Sequence, residues 1–214
     1  MRDRWIGMLL GVGAVAVTCG LTRLPHGWIY SAVLLGLVGW IGAGRVSRLR
    51  RLTEQDQLTG LANRRAFERA LAREWARARR YRRPLSILFI DLDDFGLVNK
   101  QYGHLVGDRT LKWICHLLTE NIRQTDLAVR WGGEEFAILL PETDLQAASV
   151  LAERLRSVVE QSPMRERNVV VSLTLSTGVA SWPGMARTPQ QLLRQAMRGQ
   201  AAAKMQKNAV GIVS

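Results

Sequence analysis

At 214 residues, 47% of them apolar and 22% charged, the chain has room for one domain of ordinary size plus an appendage. Its two cysteines, Cys19 and Cys115, have no obvious disulfide or metal partner, so a disulfide-stapled scaffold is excluded and the soluble part reads as a reduced, cytosolic domain. The formal charge of +12 is unevenly spread: Arg45 to Arg83 contains 13 Arg against Glu54, Asp56, Glu68 and Glu74, a net +9, with no exposed aromatic interleaving or DNA-binding motif, so no nucleic-acid partner is expected.

The first elements are apolar. Trp5 to Thr22 and Leu24 to Gly44 carry no formally charged residue. At about 1.5 Å per helical residue each run reaches roughly 27 to 31 Å, the hydrocarbon thickness of a bilayer. The break at Arg23–His26 is short, so the two spans (about 5–22 and 24–44) form a transmembrane hairpin with both outer ends on one side. Arg2 and Arg4 flank one end and Arg45, Arg48, Arg50 and Arg51 the other, which places them in the cytoplasm. The competing readings are a cleaved signal peptide, for which the first run is long, and a single span with the first run interfacial. Residues 45–55 are expected to form a basic juxtamembrane helical linker facing anionic lipid headgroups. Residues 56–214 form the soluble domain.

Within that domain Phe67, Ala70, Leu71, Trp75 and Ala78 recur at helical spacing, with Arg69, Arg73, Arg77 and Arg80 on the opposite face. "PLSILFID" (84–91) is nearly continuous in apolar residues and ends in a carboxylate, as a strand buried on both faces does. Leu111, Ile114, Cys115, Leu118 and Ile122 mark a second helix, and Leu145, Ala148, Ala152, Leu155 and Val159 a third. "LAVRW" and "EFAILLP" flank Gly132–Gly133 as a β-hairpin whose turn carries Glu134 and Glu135. "VVVSLTLSTGVA" (169–180) alternates as one strand, and a helix over about 189–206 and a short apolar tail, 209–213, close the chain. This order predicts an α/β fold, a mixed sheet with helices packed on it, with no repeat and no second soluble domain.

If the hairpin pairs beside the 84–91 strand, the carboxylates of Asp91 and Glu134 converge. Clustered carboxylates repel unless a hard cation sits between them. Mg²⁺ takes one or two protein carboxylates and keeps other positions for water and substrate phosphates, which points to metal-dependent phosphoryl or nucleotidyl transfer.

Four linked motifs carry a resemblance: "DQLTGLANRR" (56–65), "DLDDFGLVNKQYGHLVGD" (91–108), "RWGGEEF" (130–136) and "LSTGVA" (175–180). In residue type and spacing they resemble the GGDEF family of diguanylate cyclases over residues 53–214. The resemblance implies a palm domain similar to adenylate cyclases, here behind the transmembrane hairpin, that joins two GTP into cyclic di-GMP and pyrophosphate in a homodimer of the bacterial inner membrane. It implies Mg²⁺ (or Mn²⁺) on the side chains of Asp91 and Glu134 and the carbonyl of Leu92, with Glu134 also the base for the 3′-hydroxyl and Glu135 a helper. Asn99 and Asp108 would read guanine, His104 would line the nucleotide pocket, Gly132 and Gly133 would let backbone approach phosphate, and Lys204 would bind phosphate. Arg123 and Asp126, with Arg130 assisting, match the family's inhibitory site for the cyclic di-GMP product.

The pattern is departed from twice. Gly96 stands where the family usually carries a Lys that faces the phosphates, although Lys100 lies one turn away. In "AMRGQAAAKMQKN" (196–208) Met197, Gln200 and Ala201 replace the usual Asp, Leu and Tyr, and the stretch from Lys204 to Asn208 is one residue short, with Lys207 in place of an Arg. These departures keep an alternative open: a weak or inactive GGDEF domain acting as a receptor for GTP or cyclic di-GMP or as an interaction module.

Overall fold

The computed structural model describes residues 54–166, 169–184 and 186–212. Among these, no helix is long and apolar enough to cross a membrane. The expected spans at 5–22 and 24–44 and the linker residues 45–53 lie outside them.

The chain runs β1 (Ala62–Asn63), α1 (Arg64–Tyr81), β2 (Leu85–Leu92), α2 (Phe95–Tyr102), α3 (His104–Glu120), β3 (Leu127–Gly132), β4 (Glu135–Pro141), α4 (Leu145–Gln161), β5 (Met164–Glu166), β6 (Val169–Val171), β7 (Leu175–Trp182), α5 (Pro189–Lys204) and β8 (Val210–Ile212). Six strands form one sheet in the order β1-β3-β4-β2-β7-β8. The four central strands pair antiparallel, while β1 on β3 and β8 on β7 are parallel, so the sheet is mixed as expected.

The two faces follow from the period of two along each strand. Leu85, Ile87 and Phe89 of β2, with Ala137 and Leu139 of β4, point to the face covered by α1 and α5, against Phe67, Leu71, Trp75, Leu192 and Ala196. Leu88, Ile90 and Leu92, with Phe136, Ile138 and Leu140, point to the other face, covered by α2, α3 and α4. Three of the helices, α1, α4 and α5, start where short polar side chains take up free N–H groups. Asn63 accepts from the amides of Arg65 and Ala66, Asp144 from Ala147 and Thr188 from Gln191.

Several details differ from the sequence expectation: α2 is an additional helix, Ile122 lies beyond the end of α3 at Glu120, and α5 ends at Lys204. The apolar run 169–180 is two strands: β6 pairs with β5 in a separate two-stranded sheet, and only after residues 172–174 does the chain enter the main sheet as β7. Leu145, assigned to the apolar stripe of α4, is 41% exposed. Glu135 is the first residue of β4 and leaves only Gly133 and Glu134 in the turn.

Helix α5 lies unusually close to the sheet because glycines meet there. A Cβ on Gly178 would fall 1.9 Å from the Ala196 carbonyl oxygen, and one on Gly199 2.7 Å from the Gly211 carbonyl oxygen. Gly96, in the first turn of α2, has nothing within 4 Å of its would-be Cβ. Gly178→Ala is therefore expected to destabilise the domain by at least about 2 kcal/mol, through forced separation of α5 from β7. Gly96→Ala is expected to be neutral or stabilising by about 0.5 to 1 kcal/mol, through helix propensity. Urea unfolding of the two variants checks both; equal effects would contradict the packing described.

Candidate active site

Register brings the acidic residues together. Asp91 of β2 is paired with Glu135 of β4 on one side and with Ser176 of β7 on the other. The Leu92 amide donates to the Glu134 carbonyl at 3.4 Å, so the turn residue sits beside the strand end. The turn bends at Gly133, whose φ of 52° is left-handed and costs a glycine little. Arg130 braces it, donating from Nε and Nη2 to the Gly133 carbonyl at 3.0 and 2.7 Å and from Nη1 to Asp56 at 3.1 Å. Asp56 also accepts from the amide and hydroxyl of Thr59, so the "DQLTG" segment anchors Arg130. Burial pushes the Asp56 carboxyl up, but the Thr59 hydrogen bonds and Arg130 outweigh it and hold it below its usual value.

Lys204, at the last turn of α5, donates to the Asp91 carboxylate and, at 2.9 Å, to the Leu92 carbonyl, and lies 3.9 Å from Asp93. A carboxylate and a carbonyl thus already converge on one positive charge, which is the donor set expected of Asp91 and Leu92 toward a hard cation. Among the described residues no group of three or more His, Cys, Asp or Glu side chains closes on one point. A cation here would hold few protein ligands and keep positions for water and phosphate oxygen, as Mg²⁺ does. Burial pushes the Glu134 carboxyl above its usual value, Asp91 adds to this, Lys204 opposes it, and Glu135 adds a little more. Glu135 is pushed up by burial and Asp91, against Lys204 and Arg64. Both behave as carboxylates short of positive charge.

Asp93, which the sequence motifs do not single out, is the most buried acid here at 2% exposure. It accepts from Ser176 Oγ at 2.9 Å, Thr174 Oγ1 at 2.7 Å and the Asn208 amide at 2.8 Å. The next residue, Asp94, has φ 56° and receives the Lys207 ammonium on both oxygens at 2.8 Å. The one sequence signal for Asp93 is its alternation with Asp91 across an apolar Leu92.

Asn99 on α2 and Asp108 on α3 are brought to neighbouring turns. Gly107 permits this, since a Cβ there would fall 1.9 Å from Asn99 Oδ1. His104 starts α3 and is exposed. Arg123 and Asp126 line a separate cavity of about 650 Å³ between the end of α3 and the first turns of α4. Asp126 accepts from the Arg123 amide at 2.9 Å, and its other oxygen is buried with no hydrogen-bond partner. Arg154 of α4 lines the same cavity, whereas Arg130 does not; its guanidinium is committed to Asp56 and the glycine turn. Arg154 lies 31 residues from Arg123, and only the fold shows them together.

The family model described as "Diguanylate cyclase, GGDEF domain" matches residues 53–209. The chain is 41% identical over 129 residues to the diguanylate cyclase DgcP of Pseudomonas aeruginosa, covering 60% of this chain and 19% of that protein. It is 40% identical over 155 residues to the response regulator PleD of Caulobacter vibrioides, covering 72% of this chain and 34% of that protein. The matched segments are thus about a fifth and a third of these relatives' lengths. Among solved structures, the GGDEF domain of YfiN from Pseudomonas aeruginosa is 33% identical with a TM-score of 0.68, covering 73% of this chain and 98% of that one. The GGDEF domain of DgcB from Caulobacter crescentus, solved in complex with c-di-GMP, is 26% identical with a TM-score of 0.70, covering 74% and 92%. The chain belongs to the GGDEF family of diguanylate cyclase domains.

Proposed function

We propose that this protein is a diguanylate cyclase that condenses two GTP into cyclic di-GMP and pyrophosphate across a homodimer. We further propose that it is anchored in a bacterial inner membrane through 5–22 and 24–44, with the domain on the cytoplasmic side and the arginines of 45–83 toward anionic lipid. The observation that carries the catalytic reading is the convergence of the Asp91 carboxylate and the Leu92 carbonyl on one cationic position beside Glu134.

Asp91, Leu92 and Glu134 would hold Mg²⁺ (or Mn²⁺), which when bound supplies charge to polarise the α-phosphate and offset the leaving pyrophosphate. The rest is the work of this chain's residues. Asn99 and Asp108, set on adjacent helix turns, hold the guanine edge beside His104. Gly132 and Gly133 keep the turn free of side chains so that phosphate can approach. Glu134 takes the proton from the 3′-hydroxyl as that oxygen attacks the α-phosphate of the GTP on the partner subunit and pyrophosphate leaves. Lys204 reaches Asp91 and the Leu92 carbonyl here, and with a cation held by those two groups its ammonium would be free to bind the phosphates. The cavity of Arg123, Asp126 and Arg154 suits the phosphates and purine edges of the product and serves inhibition.

A specific observation favours a second reading. Position 96 is an exposed glycine with open space around it, so the phosphates lack the cation the family places there. A domain that binds GTP or cyclic di-GMP without appreciable turnover fits that deficit.

Incubating the full chain with GTP and Mg²⁺ and measuring cyclic di-GMP separates the two. Product that disappears in Glu134→Gln is expected; bound GTP with no product at high protein concentration supports the receptor reading instead. Gly96→Lys, for which the structure has room, is expected to raise turnover about tenfold or more, since one cation at a developing anion is worth on the order of 10² to 10³ in rate. Unchanged turnover would show that Gly96 is not the deficit.

Metal affinity should also depend on pH in a defined direction. Glu134 must be ionised to bind a cation, and its carboxyl is raised above the usual glutamate value, so affinity falls with pH at a higher pH than for an ordinary glutamate. Because Lys204 opposes that rise, Lys204→Met is expected to move the fall to higher pH still. Mg²⁺ titrations across pH check this; coincident profiles would remove Lys204 from the site.

A further inference from the structure

Each residue of 91–94 is held by a residue of 204–208. Lys204 reaches Asp91 and the Leu92 carbonyl, the Asn208 amide reaches Asp93, and Lys207 reaches Asp94. To close this clasp the chain passes through two successive left-handed non-glycine residues, Lys207 at φ 55° and Asn208 at φ 46°. Such a turn needs support from outside itself. The support comes from α4. Arg156 Nη1 donates to Asn208 Oδ1 at 2.8 Å, and Asn208 Nδ2 donates to Glu160 Oε1 at 2.8 Å. Arg156 is itself fixed by Glu160 at 2.8 Å and Glu153 at 2.7 Å, and its side chain is only 18% exposed. Both polar atoms of the Asn208 side chain are thereby engaged on α4, while its backbone amide is held by the buried Asp93.

We infer that Asn208 and Arg156 are positioning residues for the triphosphate end of the site: by fixing the 204–208 turn to α4, they set where the ammonium groups of Lys204 and Lys207 point. Neither is among the residues proposed to contact the nucleotide. The inference rests on the proposed reading that Lys204 faces the GTP phosphates; Lys207 is taken with it because it lies on the same turn. Its consequence is selective, because the clasp reaches only the N-cap Asp94 of α2, whereas the proposed guanine-holding residues Asn99 and Asp108 sit more than a turn further along α2 and on α3. Loosening the turn weakens phosphate recognition and leaves the base contacts in place. A merely structural role for Arg156 would weaken both alike.

The test uses the full chain and 3′-deoxy-GTP, which cannot form product because the attacking hydroxyl is missing, against guanosine, which has no phosphate. In Arg156→Ala and in Asn208→Ala, which keeps the backbone bond to Asp93, affinity for 3′-deoxy-GTP is expected to fall about fivefold or more while guanosine affinity holds, as for coupled polar networks. Arg156→Lys, which restores one charged donor, should recover part of the loss. Equal losses for both ligands, no loss for either, or a wild type that does not prefer 3′-deoxy-GTP over guanosine would overturn the inference. A wild type that makes no cyclic di-GMP but shows the selective loss would overturn the cyclase reading and leave this inference standing.

Discussion

Two like charges placed on neighbouring strands set the terms for this domain. Asp91 and Glu135 are direct partners across β2 and β4, with Glu134 one residue away in the turn, an arrangement that destabilises a sheet unless positive charge is supplied. The glycine contacts of α5 on β7 and β8 bring Lys204 within reach of Asp91, and the Arg130 brace holds the turn that carries Glu134. Packing and function meet in the same few residues. In this structure the Lys204 ammonium supplies positive charge to Asp91.

The site is built from three supports of different kinds. Asp56 and Arg130 tie the glycine turn to the start of the domain, and Gly107 lets α2 and α3 approach until Asn99 and Asp108 are neighbours. Asp93 joins the end of β2 to β7 and to the turn after α5 through hydrogen bonds from Ser176, Thr174 and Asn208. Left-handed residues at Asp94, Gly133, Lys207 and Asn208 gather around the carboxylates, where local strain is tolerated because the surrounding contacts over-determine it.

Much of this is legible in the sequence because burial leaves a periodic mark. The stripe Phe67, Ala70, Leu71, Trp75 and Ala78 is the buried face of α1, and the continuous run 85–90 is the fully buried β2. Helix α2 escapes a periodic reading because in eight residues only Phe95 and Val98 are buried, too few to show a period. The break between β6 and β7 escapes it because alternation records which side of a strand is covered and not which strand it pairs with. In the site, the motifs point to Asp91, Glu134 and Lys204, but Asp93, Arg154, Arg156 and Asn208 act through partners 31 to 115 residues away. No local pattern encodes such contacts.

The central claim is that the strand-end carboxylates form a cation seat that Lys204 fills when no divalent ion does. Mn²⁺ binding to the full chain, followed by electron paramagnetic resonance in wild type, Asp91→Asn and Lys204→Met, tests it most directly. The account predicts one Mn²⁺ site in wild type, lost in Asp91→Asn and tightened in Lys204→Met, where the competing ammonium is gone. Mn²⁺ binding that is the same in all three proteins would contradict it.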